Sequence, residues 1–310
     1  MPHWLIKSAI QQVLYRLPQR QKWNRLFQKY FTHSVFLNSN TFETKVRECH
    51  RHWTRFREAK ADTTEFTAFE LGTGWFPIIP AGLYLCGARK VWTVDIDPML
   101  RSEALQQMLK HFGTYAENGK LRDLLPGLKP ERLATLRGLL EFVDRERPEE
   151  LLKRLQVECL TLDAQSTPVP SHTIDLYLSS GVLEYIPRPV LQGVFKEAWR
   201  LLIPGGIMTH RLNLIDQFSY FDRSIGSYNF LRFTEKQWRW RNSPMIWQNR
   251  MRISDFRALF SEAGFAILRE ESDAGKAEEL DSITLAPEFR GYRREDLLVL
   301  HAFLTARKRD

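Results

Sequence analysis

Glu70, Gly72 and Gly74 stand at the end of an apolar run, Phe66-Thr67-Ala68-Phe69-Glu70-Leu71-Gly72-Thr73-Gly74. Glycines at this spacing after a strand-like segment let the backbone bend tightly and approach a ligand, because no Cβ stands in the way. A carboxylate just before them lies at the C-terminal end of the strand, where open α/β sheets bind ligands. The next acidic residue is Asp95, in Val91-Trp92-Thr93-Val94-Asp95-Ile96-Asp97, 21 residues past Gly74. That distance spans a helix and a second strand, whose terminal carboxylate can serve a ribose. The third glycine of a dinucleotide fingerprint is missing and Trp75-Phe76-Pro77 follow, which disfavours a nicotinamide cofactor.

Chemistry on a bound acceptor needs an aligned nucleophile and often a base. Side chains of suitable type come later, at and beyond a strand read at Ile207–Leu212: His210, Asp216 and Asp222, with Arg211, Tyr220 and Trp238 as substrate-side candidates. Strand alternation turns one of His210 and Arg211 inward. Each has a plain structural alternative, a satisfied histidine or a helix-capping aspartate.

The elements that must position these groups alternate between strand and helix. Phe42 to Lys60 reads as a helix, Phe66 onward as the first strand, and Phe76 to Ala88 as an apolar helix with Pro77 in its first turn. Further strands are expected at Val91–Ile96, Val157–Leu162, Thr173–Ser179, Phe265–Arg269 and Leu297–Ala306. Helices are expected at Val190–Leu202 and at Ser254–Ala263, the latter capped by Ser254 and ended by Gly264. Two stretches exceed what a crossover needs. About 57 residues from Met99 to Leu155 carry helical patterns at Leu105–Phe112, Leu133–Val143 and Glu149–Leu155, and read either as a lid or as a passive elaboration. Residues 214–250 are crowded with aromatics and read either as a substrate box or as core.

With those motifs in order, the chain resembles the class I S-adenosylmethionine-dependent methyltransferases. Glu70, Gly72 and Gly74 match the family's acidic-x-Gly-x-Gly motif, Asp95 its ribose acid, and Asp163-Ala164 its third motif. Ile174 to Ile186 match the strand-four signature, and Ala198 to Gly206 the helix and Pro-Gly-Gly turn into strand five. The resemblance implies a three-layer, doubly wound, mostly parallel seven-stranded α/β sheet with helical insertions. It implies S-adenosyl-L-methionine as cofactor, held by Glu70, Gly72, Thr73, Gly74, Asp95, Asp163, Ala164 and Ser180. Asp163 would accept from the adenine amine, or else forms an Asx turn before Pro168. Leu183-Glu184 is expected to be structural.

Composition bounds the rest. The 310 residues suffice for a sizeable core, and 43% hydrophobic with 26% charged residues describes a globular chain. No apolar run approaches the roughly 18 residues of a membrane span. Cys49, Cys86 and Cys159 are too few and too scattered for a disulfide framework or a zinc site, so a reducing cytoplasm is the expected compartment. The net charge of +8 is concentrated at the start, where residues 1–42 hold six basic and no acidic residues, leaving 39 basic against 37 acidic. Residues 1–60 are therefore read as a basic helical arm and 61–310 as the catalytic domain. Ile6, Ile10, Val13, Leu14 and Leu17 suit a helix packed on that domain, ahead of a membrane-surface or nucleic-acid anchor or a targeting segment. The expected activity is methyl transfer to oxygen or nitrogen of a small molecule of the sugar-containing, lipid-linked or specialised-metabolite kind. The alternatives are an RNA or protein methyltransferase gripping through the arm, and a non-catalytic relative that only binds the cofactor. Near-neutrality beyond residue 42 disfavours nucleic acid, while peripheral membrane contact through the arm stays open.

Overall fold

Asn38 starts the first long helix, its side chain accepting a 2.8 Å hydrogen bond from the Thr41 backbone N–H. This helix, α1 (Ser39–Ala59), buries Phe42, Val46, Cys49, Trp53 and Phe56, an i, i+4, i+7 stripe that forms one helical face. The computed structural model describes residues 4, 5, 8, 36–60, 63, 65–242 and 247–309. Lys7, Arg16, Arg20, Lys22, Arg25 and Lys29 of the basic arm, and the apolar positions between them, lie outside the described residues. Of the expected arm of residues 1–60, helix α1 packs into the domain. The buried face of α1 belongs to the same core as the sheet, because five large apolar side chains cannot stay in water.

The sheet has seven strands: β1 (Phe66–Leu71), β2 (Ala88–Asp95), β3 (Val157–Thr161), β4 (Ile174–Ser180), β5 (Leu202–Asn213), β6 (Phe265–Ala274) and β7 (Val299–Lys308). Their order is β3-β2-β1-β4-β5-β7-β6. The first five run parallel, and β7 pairs antiparallel with both β5 and β6. β1 is buried throughout, the pattern of a central strand covered on both faces. From β1 the chain winds outward through β2 and β3, then returns to β4 on the other side of β1. That reversal is a topological switch point, and the crevice at the strand ends there is where ligands bind in such sheets.

Helices cover both faces. On one face lie α1, α2 (Ile78–Leu85), α3 (Ser102–Glu117), α4 (Lys120–Leu124), α5 (Pro130–Gly138) and α6 (Pro148–Arg154). Every residue of α2 is buried, as a helix apolar all round requires. The other face carries α7 (Arg188–Leu201) and α9 (Ile253–Glu262). Between them in sequence lies α8 (Glu235–Arg241), and α10 (Ala277–Asp281) and α11 (Arg294–Leu298) precede β7.

The stretch from Met99 to Leu155 is not a lid. Leu105, Met108, Phe112, Leu136 and Leu151 are buried in the core shared with α1 and the sheet. Tyr115 donates to Glu43 Oε1 at 2.8 Å, fastening α3 to α1. The expected cap Ser254 lies inside α9. The helix starts after Arg252, whose backbone N–H donates to Asp255 Oδ2 at 2.7 Å. Gly264 ends that helix at φ +86°, as expected.

Four aromatics of the insertion after β5 are core. Phe218, Tyr228, Phe230 and Trp238 form a third apolar cluster with Trp4, Leu280, Phe289 and Leu297. Arg252 is fully buried beneath it and donates to the carbonyls of Leu214, Leu297 and Val299. One guanidinium thus satisfies three acceptors that would otherwise be stranded where the insertion meets β7. No helix among the described residues is long and apolar enough to cross a membrane.

Candidate active site

A cavity of about 680 Å³ opens at the switch point, lined by the loop after β1, the ends of β2 and β4, and the start of α1. The loop after β1 is bent by Gly72 at φ +89° and Gly74 at φ +63°. A Cβ on Gly72 would lie 2.4 Å from Val182 Cγ2, so this position excludes any other residue. A Cβ on Gly74 would meet nothing within 4 Å: this part of the loop faces open space.

Two hydrogen-bond systems pin the loop from below. Gly72 N–H donates to Val94 O at 2.7 Å, and Gly74 N–H to Asp95 Oδ2 at 2.9 Å. Thr73 and Thr93 hydroxyls lie 2.6 Å apart, and Thr93 donates to Glu70 Oε2 at 2.6 Å. Since Thr93 has one proton, Thr73 donates to it, giving a chain Thr73→Thr93→Glu70. Glu70 is 4% exposed and does not line the cavity. The expectation of a cofactor contact for Glu70 is corrected to support of the loop, and burial pushes its carboxyl up to about 8.

Gly72, Thr73, Gly74, Asp95, Asp163, Ala164 and Ser180 all line the cavity. Asp95 points one carboxylate oxygen at the loop and keeps lone pairs free to accept from a ribose; burial raises its pKa, and the Gly74 and Asp97 backbone N–H groups pull it back. Asp163 accepts from Gln165 N at 2.9 Å, so the Asx turn forms while the residue still faces the cavity. Leu162, Ala164 and Ile96 supply apolar surface beside it. A diol acceptor, an apolar slot with one polar edge and an open glycine loop fit an adenosyl group with a methionine tail.

The residues expected to act as bases are elsewhere. His210 is fully buried, bonded to Ser179 Oγ at 2.7 Å and enclosed by Tyr177, Phe195 and Phe260. Burial lowers its pKa to about 3, and the role of base is corrected to that of a core histidine. Asp216 has no exposed surface; it caps a turn through Phe218 N–H at 2.9 Å and accepts from Asn229 Nδ2 at 3.0 Å. Asp222 accepts from Ser224 and from the Trp4 backbone N–H at 3.1 Å. Both are structural caps, not bases. Trp238 is buried in the third cluster, and Tyr220 is 55% exposed against Asn213, so neither lines the cavity. Arg211 sits behind the cavity wall, its Nε 3.3 Å from Glu48 Oε1.

Other residues lining the cavity were not marked by the motifs. Thr41 and Lys45 of α1, Phe76, Tyr185 and Trp247 line it. Lys45 pairs with Glu48 at 2.8 Å, and His52 bridges Thr209 Oγ1 at 2.8 Å and Ser180 Oγ at 2.9 Å. One signal was available. Thr41, Lys45, Glu48 and His52 recur at four, three and four residues, a polar stripe beside the apolar face of α1.

The strand order, the glycine loop and the acid at the end of β2 make up the mostly parallel α/β sheet and ligand crevice expected from the sequence, and the comparisons agree with a methyltransferase domain. Residues 136–209 match the methyltransferase domain family. Over 78 residues the chain is 36% identical to 2-methyl-6-phytyl-1,4-hydroquinone methyltransferase 2 of Oryza sativa subsp. japonica, covering 25% of this chain and 21% of that protein. A second rice protein, 2-methyl-6-phytyl-1,4-hydroquinone methyltransferase 1, is 35% identical over 86 residues, covering 24% and 26%. The chain thus spans about a quarter or less of the curated relatives it matches. Among solved structures it is similar to a putative sarcosine dimethylglycine methyltransferase from Galdieria sulphuraria, with TM-score 0.49, 15% identity and coverage of 93% and 98%.

Proposed function

We propose that this protein transfers a methyl group from S-adenosylmethionine to a small-molecule acceptor with an apolar body. One observation carries the reading. A single cavity holds the cofactor residues Gly72, Gly74, Asp95 and Asp163 together with an apolar wall of Phe76, Val182, Ile186 and Trp247. Its volume lies in the range of small-ligand sites. When bound, the cofactor supplies an electrophilic methyl on a sulfonium. The chain's part is to fix it against the glycine loop, exclude water with the apolar wall, and hold the acceptor in line.

The expected acceptor atom is oxygen or nitrogen. The rice relatives are named for a phytyl hydroquinone, an acceptor with an apolar chain and ring hydroxyls, which suits a cavity of this character. The test is mass spectrometry of a metabolite extract incubated with protein and cofactor. The reading expects a product heavier by one methylene, absent with Asp95→Ala. An extract unchanged by the wild-type protein, together with methylation of added RNA or protein, would contradict it.

A further inference from the structure

We propose that the Ser180 hydroxyl is a hydrogen-bond donor aimed at the acceptor, oriented by His52 and Thr209, and that with Lys45 it makes this end of the cavity a site for a phenolate-type oxygen anion. The inference rests on the methyl-transfer reading and narrows its acceptor.

Proton accounting fixes the direction of the chain. Thr209 is fully buried, and among the described residues its hydroxyl has His52 Nδ1 as its one hydrogen-bond partner, at 2.8 Å. A buried hydroxyl proton left without an acceptor costs about 1–3 kcal/mol. Thr209 therefore donates, and His52 Nδ1 accepts. A neutral imidazole carries its proton on the other nitrogen, so Nε2–H donates to Ser180 Oγ at 2.9 Å. Ser180's own proton is then left for the cavity that this residue lines. Full burial keeps His52 uncharged, and the surrounding His210, Lys45, Arg51 and Arg211 act in the same direction. Phe303 closes the remaining side, its ring 4.8 Å from the imidazole. His52 is thus a positioning residue rather than a base.

The charges around Ser180 favour an anion. Glu48 Oε2 holds the Lys45 ammonium at 2.8 Å, and its other oxygen faces Arg211 Nε at 3.3 Å, so one carboxylate answers two cations. Glu184 lies on the same side, where burial favours its protonated form against the pull of Arg211 and Lys45. It is 1% exposed and burial pushes its carboxyl up to about 8. Its Oε1 and Arg211 Nη1 each come within 3.5 Å of the point a Cβ on Gly181 would occupy, next to Ser180. Two cations, Lys45 and Arg211, thus share one salt-bridged carboxylate, Glu48, on the side of the cavity that Ser180 lines. An acceptor held there as its oxygen anion needs no base in the transfer step, which accounts for the burial of both nearby histidines.

The test uses 4-nitrophenol, whose phenolate absorbs in visible light, titrated into protein saturated with S-adenosylhomocysteine. The wild-type protein is expected to bind the phenolate, lowering the apparent pKa of the bound phenol below its value in buffer. Ser180→Ala and His52→Phe should each weaken phenolate binding about tenfold, the loss of one hydrogen bond to a charged group. Adding His52→Phe to Ser180→Ala should cost nothing further, because the histidine acts through the serine. His52→Gln, whose amide N–H can still donate to Ser180, should retain most of the affinity, and it reports the role even if His52→Phe folds poorly.

Binding of the neutral phenol, or no saturable uptake by wild-type protein, would overturn the proposal. An equal loss from His52→Phe with and without Ser180 would do so too, as it would mark a purely structural histidine. So would Ser180→Ala weakening S-adenosylhomocysteine while leaving phenolate uptake unchanged. Failure of the methyltransferase reading shows separately, as absence of S-adenosylhomocysteine binding by the wild-type protein in the first titration, and phenolate uptake is then read on the protein alone.

Discussion

Asp95 touches two things at once, the loop through Gly74 N–H and the cavity through its remaining lone pairs. Asp95→Ala should weaken S-adenosylmethionine binding by about 1.5–3 kcal/mol, the range for a hydrogen bond to a charged group. Calorimetry showing unchanged affinity would remove the ribose assignment. Glu70 acts through stability instead. Its folded pKa of about 8 lies above the ordinary 4.5, so the fold prefers the protonated acid. That contribution is complete below about pH 4.5 and is lost as pH rises toward 8; Glu184, also raised to about 8, has the same sign. The melting temperature of the cofactor-free protein should therefore fall between about pH 5 and 8, and fall less steeply in Glu70→Gln. Identical slopes would show that Glu70 ionises freely in the fold. At this scale the sequence was legible where backbone geometry dictates the residue, as at Gly72, Gly74 and Asp95. It was misleading for His210 and its neighbours. A histidine's type is visible in a sequence, but whether Ser180 or Ser179 faces it depends on which side of β4 each serine takes. The two serines alternate, one toward His52 and the cavity, the other toward His210 and the core.

Helix α1 shows how one element carries two tasks. Its apolar stripe anchors it to the sheet, and Thr41 and Lys45 of the polar stripe beside it line the cavity. Phe56 is fully buried, with its ring 5.1 Å from that of Phe66 at the start of β1. Phe56→Ala should cost about 3–5 kcal/mol in chemical denaturation, since the cavity left behind cannot close against a central strand. A loss under about 1 kcal/mol would mean that α1 lies loosely on the sheet. The helix itself was legible from its 3.6-residue pattern. Its membership of the domain was not, because the boundary was drawn from the basic charge that precedes it, and charge says nothing about which face is covered. The aromatic insertion stayed open between core and substrate box for a related reason. Aromatic side chains supply a substrate wall or a core equally well, and only packing separates Trp247, which lines the cavity, from Trp238, which is enclosed.

For the whole molecule, the mostly parallel seven-stranded sheet with its antiparallel β7 agrees with the fold that the resemblance implies. Long-range pairing such as His52 with Ser180, 128 residues apart, leaves no periodic trace in a sequence. The central claim is that the crevice beside β1 and β4 binds S-adenosylmethionine. Isothermal titration of the full-length protein with S-adenosylmethionine, and separately with NADH, tests it most directly. The account predicts saturable binding of S-adenosylmethionine at one site per chain and none of NADH; binding of NADH without S-adenosylmethionine would contradict it.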